Sequence, residues 1–134
     1  MKFTILFFLS LLLVSCGKDN TGVPDVYVNY HVTVQEFNIK NQSGVLLVDG
    51  HGVAGLIIYK RADNSYVAFD RCSTVNPEKR CAVVPDDPNS TATDPCSDAK
   101  FSLYDGNPVK APAKKALRQY YVSISNKSLI SVTN

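Results

Sequence analysis

Apolar and polar residues alternate along the chain between positions 26 and 39. Side chains of one parity are mostly polar, as at Asn29, His31 and Thr33. Those of the other parity are apolar: Val26, Val28, Tyr30, Val32 and Val34. Because successive side chains of a strand point to opposite faces of its sheet, this pattern predicts a half-buried strand.

Three apolar stretches bounded by turn-forming residues predict the next strands. Residues 45–48 form a short apolar run between polar, glycine-containing segments at 41–44 and 49–52. Residues 53–59 are almost continuously apolar, which predicts a strand covered on both faces of the sheet. Residues 66–70 predict a further strand that leads directly to a cysteine.

The last third of the chain predicts two more strands, at 117–124 and 129–132, joined by a polar turn. Residues 76–80 and 85–95 are rich in polar and turn-forming residues and lack apolar periodicity, so they are predicted to be loops. The pattern predicts no helix of useful length. The expected fold class is therefore all-β, an antiparallel β-sandwich with two loops at one end.

The amino terminus predicts export and lipidation. Lys2 precedes an apolar run at 5–14, which is too short to span a bilayer as a mature helix and is typical of a secretory signal. The run ends in Leu13-Val14-Ser15-Cys16, which is similar to the lipobox of bacterial lipoproteins. That resemblance implies diacylation of Cys16 and cleavage before it. The alternative is an ordinary signal peptide followed by an incidental cysteine.

Cleavage would remove 15 of the 134 residues and leave 119, the length of one ordinary domain. We therefore predict a signal peptide at 1–15, a lipidated flexible tether at 16–25 and a β domain at 26–134. More than one acyl chain makes membrane attachment durable, so the lipid anchor makes the membrane an expected partner. The expected location is the bacterial cell envelope, facing the periplasm or the cell surface. Lys18 favours the outer membrane.

The charge balance and the motifs exclude several functions. The chain has 14 basic and 12 acidic residues, and losing Lys2 would leave a side-chain charge near +1. A charge this small gives no reason to expect a nucleic-acid partner. No motif ties a nucleophile, a base and an orienting group together, so catalysis is not expected. Any protein or small-molecule partner of the domain is left unidentified by the sequence.

A set of motifs between residues 70 and 121 is similar to the cluster-binding half of Rieske iron–sulfur proteins. The family has Cys-x-His in a first loop and Cys-Pro-x-His-Gly in a second, followed by Phe, Asp-Gly, a Gly-Pro-Ala turn and a Leu-x-x-Tyr strand. This chain has matching or related residues in that order: Cys72, Thr74, Asp94, Ser97, Phe101, Asp105-Gly106, Pro112-Ala113 and Leu117 to Tyr121. The resemblance covers roughly residue 44 to the end and implies a Rieske-like fold.

The resemblance also assigns the former cluster-ligand positions. Phe101 sets the register of the second loop, which places Asp94 at the second cysteine and Ser97 at its histidine. Cys72 takes the first cysteine position and Thr74 the first histidine position. Two thiolates and two imidazoles hold a Rieske cluster, so one ligand of four is kept. Carboxylate and hydroxyl oxygens are poor replacements for them, so no cofactor is expected. The alternative is a 2Fe–2S cluster with an altered ligand set.

The three cysteines after Cys16 imply one disulfide and one remaining thiol in an oxidising compartment. Some Rieske proteins pair an extra cysteine of each loop, and the resemblance makes Cys81 and Cys96 the candidate pair. Cys72–Cys96 is the fallback, because Cys81 lies further along than in the usual first loop. A zinc site of these cysteines with Asp94 or His51 is disfavoured, since no Cys-x-x-Cys pair exists. His31 is expected to be solvated.

These observations lead to one main hypothesis and two alternatives. The main hypothesis is a membrane-anchored lipoprotein whose Rieske-like domain has no cluster, is held by a disulfide and acts as a binding or structural module. The first alternative is a Rieske-type electron carrier. The second is thiol–disulfide exchange by the leftover cysteine, which would require an accessible thiol with a low pKa.

Overall fold

The computed structural model describes residues 20–134. The predicted signal peptide and Cys16 lie outside the described residues. Within the described range, no helix has the length and hydropathy needed to cross a bilayer.

The described chain contains ten strands, one short α-helix and one 3-10 turn. The helix α1 spans Val34–Lys40 and the 3-10 turn spans Pro77–Lys79. The strands are β1 Asn29–Thr33, β2 Val45–Val48, β3 Leu56–Lys60, β4 Tyr66–Asp70, β5 Val84–Pro85, β6 Thr91–Thr93, β7 Lys100–Ser102, β8 Pro108–Lys110, β9 Gln119–Ser125 and β10 Leu129–Thr133.

The strands form two antiparallel sheets. The larger sheet has the order β1-β10-β9-β4-β3-β2, and the smaller has the order β5-β6-β7-β8. Adjacent strands of the larger sheet pair in continuous registers, such as Leu56 opposite Asp70 in β3 and β4. The expected all-β antiparallel fold is therefore confirmed.

The core has two parts, one on each face of the larger sheet. One part contains Leu56 and Ile58 together with side chains of β1, β10 and α1. The other part contains Ile57 and lies between the larger and the smaller sheet. All three side chains are fully buried. This confirms that the apolar run at 53–59 contributes a strand covered on both faces, and each such side chain stabilises the fold by about 1.5–3 kcal/mol.

The predicted strand across 26–39 is wrong in its second half, where α1 forms. The alternation stops at Glu36, and Phe37 becomes the buried residue instead. Thr33 caps the helix, because its Oγ1 accepts a hydrogen bond of 3.0 Å from the Glu36 backbone N–H. Lys40 pairs with Glu36 one turn away. The Thr-x-x-Glu spacing is a capping signal that outweighs the strand pattern here.

The predicted loop at 85–95 is also partly wrong, because it contains β6. Ala92 is fully buried and lies opposite Phe101 of β7. The small apolar side chain packs between the sheets, and the threonines on either side of it favour extended backbone. A three-residue strand is too short to produce a recognisable alternation.

The packed chain also begins before the predicted boundary at residue 26. Thr21 and Val23 are buried. The Arg118 guanidinium donates hydrogen bonds of 3.1 Å to the Val23 carbonyl oxygen and 2.6 Å to the Asp25 carboxylate. The part of the predicted tether that the structure describes is therefore packed on the domain from Thr21 onwards.

Candidate functional site

Three loops meet at one end of the domain, where β4 ends and β9 begins. We call this the loop end and define it as loop one (72–81), loop two (94–99) and loop three (111–117). Loop one is closed by a backbone hydrogen bond of 2.8 Å from Ser73 to Cys81, and loop two by one of 2.8 Å from Asp94 to Ala99. The four positions that the Rieske resemblance assigns to cluster ligands all lie in loops one and two.

Asp94 is the centre of a buried hydrogen-bond network that joins these two loops. Its side chain is fully buried. One carboxylate oxygen accepts hydrogen bonds from the hydroxyls of Ser73 at 2.7 Å and Ser97 at 2.6 Å. The other accepts one of 2.8 Å from the Cys96 backbone N–H. Hydrogen bonds to a charged acceptor are stronger than neutral ones, so the network stabilises the contact between the loops.

Thr74 and Ser97, which the Rieske resemblance assigns to the two histidine positions, carry hydroxyl groups that donate hydrogen bonds within the protein. Ser97 donates to Asp94, as described above. Thr74 donates a hydrogen bond of 2.7 Å to the backbone carbonyl of Lys115, which ties loop one to loop three. Both side chains therefore stabilise loop packing in this arrangement.

Cys72, at the first cysteine position, is fully buried and is the one free cysteine among residues 20–134. Its Sγ lies 3.5 Å from the carbonyl oxygen of Pro77, within loop one. Desolvation, followed by the nearby Asp70 carboxylate, raises the pKa of the thiol to about 11. A buried thiol with a raised pKa is a poor nucleophile, which counts against thiol–disulfide exchange.

Cys81 and Cys96 form a disulfide between loops one and two. The pairing implied by the Rieske resemblance is confirmed, and the fallback Cys72–Cys96 pairing is wrong. The Cα atoms of the two cysteines are 6.3 Å apart. Within the added length of loop one, residues 77–79 fold into the 3-10 turn.

The sulfur atoms of Cys81 and Cys96 and a carboxylate oxygen of Asp94 lie within 4.8 Å of one another. Metal ions bind thiolates, whereas these two sulfur atoms are bonded to each other. The Asp94 oxygens also accept hydrogen bonds from three donors. The group is therefore unsuited to a metal ion while the disulfide is intact.

The side chains at the four positions that the Rieske resemblance assigns to cluster ligands do not fit a 2Fe–2S cluster. A Rieske cluster is held by two thiolates and two imidazoles. Cys72 supplies one sulfur whose deprotonation is disfavoured by burial. The other three positions supply a carboxylate and two hydroxyls, all of which are hydrogen-bonded to other protein atoms.

A second buried carboxylate, Asp70, accepts a hydrogen bond from the start of loop one. This role was not predicted from the sequence. Asp70 accepts backbone N–H hydrogen bonds from Val53 at 2.6 Å, Ala54 at 3.1 Å and Cys72 at 2.8 Å. Tyr120 donates its hydroxyl at 2.7 Å, and desolvation together with this bond raises the pKa of Tyr120 well above its usual range.

The glycine turn before β3 is the sequence signal that could have indicated the Asp70 network. Gly52 has a φ of +67°, and a Cβ there would lie 2.5 Å from the Asp70 carboxylate. Glycine therefore allows the backbone to approach the buried oxygen closely.

Neither histidine joins the loop end. His31 is exposed, as expected, and its Nδ1 lies 2.8 Å from the Ser131 hydroxyl on the neighbouring strand. His51 packs edge-on against Tyr30, with ring centroids 5.0 Å apart. Within residues 20–134, neither ring is hydrogen-bonded to loop one, two or three.

Comparison with solved structures identifies the class of fold. The cyanobacterial plasma membrane Rieske protein PetC3 of Synechocystis PCC 6803 is 20% identical with a TM-score of 0.57, and the match covers 82% of this chain and 99% of that one. The ferredoxin of carbazole 1,9a-dioxygenase from Nocardioides aromaticivorans IC177 is 16% identical with a TM-score of 0.53. That match covers 82% of this chain and 100% of the ferredoxin.

These likenesses show that the domain has a Rieske-like fold, as the sequence motifs implied. The structures with which it is compared are of Rieske proteins and ferredoxins. No protein-family model matches the chain. No curated protein matches it either.

Proposed function

We propose that the protein is a membrane-anchored, extracytoplasmic lipoprotein whose Rieske-like domain holds no cluster and acts as a binding or structural module. The observation that carries the proposal is the buried Asp94 at the second cysteine position, hydrogen-bonded to Ser73, Ser97 and Cys96. The network includes Asp94 and Ser97, two of the positions that the Rieske resemblance assigns to metal ligands, and the Cys81–Cys96 disulfide joins the same two loops.

Electrostatics supports the proposal. A buried carboxylate is costly unless it is well hydrogen-bonded, and Asp94 has three donors. Releasing it to bind iron would leave the Cys96 N–H and two serine hydroxyls without their acceptor. The loops are therefore built around the carboxylate as a structural group.

A Rieske-type electron carrier is the alternative, and the fold accommodates it equally well. It would require Asp94, Ser97 and Thr74 to exchange their present hydrogen bonds for bonds to iron. Oxygen donors of this kind compete poorly with thiolate and imidazole for such a cluster, so we favour the cluster-free module. The module is a non-catalytic one, with a protein, small-molecule or membrane partner rather than nucleic acid.

The anchor part of the proposal rests on the Leu-Val-Ser-Cys motif at residues 13–16. Lipidation of Cys16 would hold the domain on the cell envelope, with the outer membrane as the proposed site. In bacteria fed an alkyne-labelled fatty acid, the wild-type protein is expected to incorporate the label and to lose residues 1–15. Cys16→Ala is expected to incorporate none and to keep its full length, as measured by gel fluorescence and intact mass.

Cys72→Ala provides the matched control, because it also removes one cysteine that is not in the disulfide. This variant should be labelled and processed like the wild type. Label that persists in Cys16→Ala, or a wild-type protein that is never labelled, would contradict the anchor.

A further inference from the structure

The described chain starts at the loop end of the domain. Asn20 and Thr21 line the same surface pocket as Lys114, Lys115 and Ala116 of loop three. A Cβ added to Gly22 would lie 3.3 Å from Pro77 of loop one, so the segment also runs beside that loop. The amino-terminal segment is therefore held between loops one and three.

The loop end also exposes an unbalanced set of basic side chains. Four exposed cations lie on loops one and three, and among residues 20–134 none of them forms an ion pair: Lys79, Arg80, Lys114 and Lys115.

The acidic groups at this end do not offset these cations. Asp94 is buried, and Asp98 is paired with Lys110 at 2.6 Å. Glu78 is the one exposed acidic residue on loops one to three without an ion pair in the described chain. The loop end therefore presents a net positive surface, which we call the basic face.

The proposed anchor brings this basic face close to a membrane. Cys16 is four residues before Asn20, so a fully extended connection spans about 14 Å. The opposite end of the domain is further away by at least the length of β9, whose seven residues span about 23 Å. A domain tethered in this way presents the loop end to the bilayer.

Building on the proposed lipidation of Cys16, we propose that the basic face docks on anionic lipid headgroups of the membrane that holds the anchor. Basic residues next to a membrane anchor are attracted to anionic lipids, and the attraction falls off within a Debye length of about 8 Å at physiological salt. The short tether keeps the basic face near that range. Docking would fix the orientation of the domain and leave α1 and the turn at 125–128 facing away from the membrane.

A single tryptophan can report this orientation, because the chain contains none. Ala111→Trp places the reporter on exposed loop three, and Asn38→Trp places it on the exposed side of α1 at the opposite end. The mature, acylated lipoprotein is reconstituted into vesicles of phosphatidylcholine with about one third phosphatidylglycerol and headgroup-spin-labelled lipid. Quenching at Ala111→Trp is expected to exceed quenching at Asn38→Trp by at least about twofold.

Charge variants test whether the lysines cause the orientation. Lys114→Gln with Lys115→Gln should reduce the difference between the two reporters. Pure phosphatidylcholine vesicles should do the same, as should 0.5 M salt, which shortens the screening length to roughly half its physiological value. Lys60→Gln with Lys127→Gln removes the same charge from the opposite end, where both residues line one pocket, and should leave the difference unchanged.

Equal quenching of the two reporters, or a difference that persists in neutral vesicles and in the Lys114 and Lys115 variant, would overturn the docking proposal. Failure of the anchor itself gives a different result. In that case the protein carries no acyl label and does not co-float with vesicles, whichever reporter is present.

Discussion

Replacing Asp94 by alanine should lower the free energy of unfolding by about 3 kcal/mol, because three buried hydrogen bonds to a charged acceptor are lost together. The Ser73 and Ser97 hydroxyls and the Cys96 N–H would be left without their acceptor in a site that water reaches poorly. Part of this loss is offset because the variant no longer buries a charge. Urea unfolding followed by circular dichroism measures the change.

Asp49→Ala is the matched control for Asp94→Ala. Asp49 is an exposed carboxylate whose partner, Arg71, lies 3.6 Å away, and such a pair contributes about 1 kcal/mol or less. A similar small effect for Asp94→Ala would show that the carboxylate does not stabilise the loop contact, and the structural role assigned to it here would be wrong.

Removing the disulfide should have the other large effect on stability. Cys81→Ala with Cys96→Ala opens a loop with a sequence separation of 15 residues, which costs about 3 kcal/mol in the chain-entropy model. Cys96 is exposed and Cys81 half-buried, so little packing is lost with the sulfur atoms. The measurement is the shift of the urea midpoint for the double variant against the wild type.

Reductant supplies the control for this prediction. Dithiothreitol should lower the stability of the wild type to that of the double variant and should leave the double variant unchanged. Thiol titration of the denatured, acylated protein should find one thiol, Cys72, before reduction and three after it. Three thiols before reduction would contradict the disulfide.

Strands with a strong local pattern were predicted well from the sequence. The apolar run at 45–48 and the run at 66–70 coincide with β2 and β4, because each follows a segment of turn-forming residues. The register taken from Phe101 placed Asp94 and Ser97 in one loop, and the structure joins them by a hydrogen bond. That register came from the family resemblance, and the sequence did not predict the hydrogen bond.

Other features depend on contacts that a linear pattern does not contain. α1 replaces the end of the predicted strand because Thr33 caps it and Phe37 packs into the core. In the sequence, Asp70 is an ordinary polar residue at the end of a strand. Its role follows from hydrogen bonds to residues 53 and 54 and to Tyr120, which only the fold brings close to it. Long-range hydrogen bonds of this kind can be recognised only from the fold.

The basic face illustrates the same limit at the level of function. Lys79 and Lys114 are far apart in the sequence, and the nearly neutral net charge gives no sign of a positive surface. The fold places loops one and three on either side of the amino-terminal segment. The positive charge near the proposed anchor can therefore be recognised only from the fold.

Iron and acid-labile sulfide analysis of the full-length protein, purified without oxygen from iron-replete cells, is the most direct test of the cluster-free domain. The expected result is a colourless protein with no stoichiometric iron or sulfide, because Asp94, Ser97 and Thr74 are committed to hydrogen bonds within the loops. Two irons and two sulfides per chain, with the visible absorption of a 2Fe–2S cluster, would contradict that conclusion and favour the electron carrier.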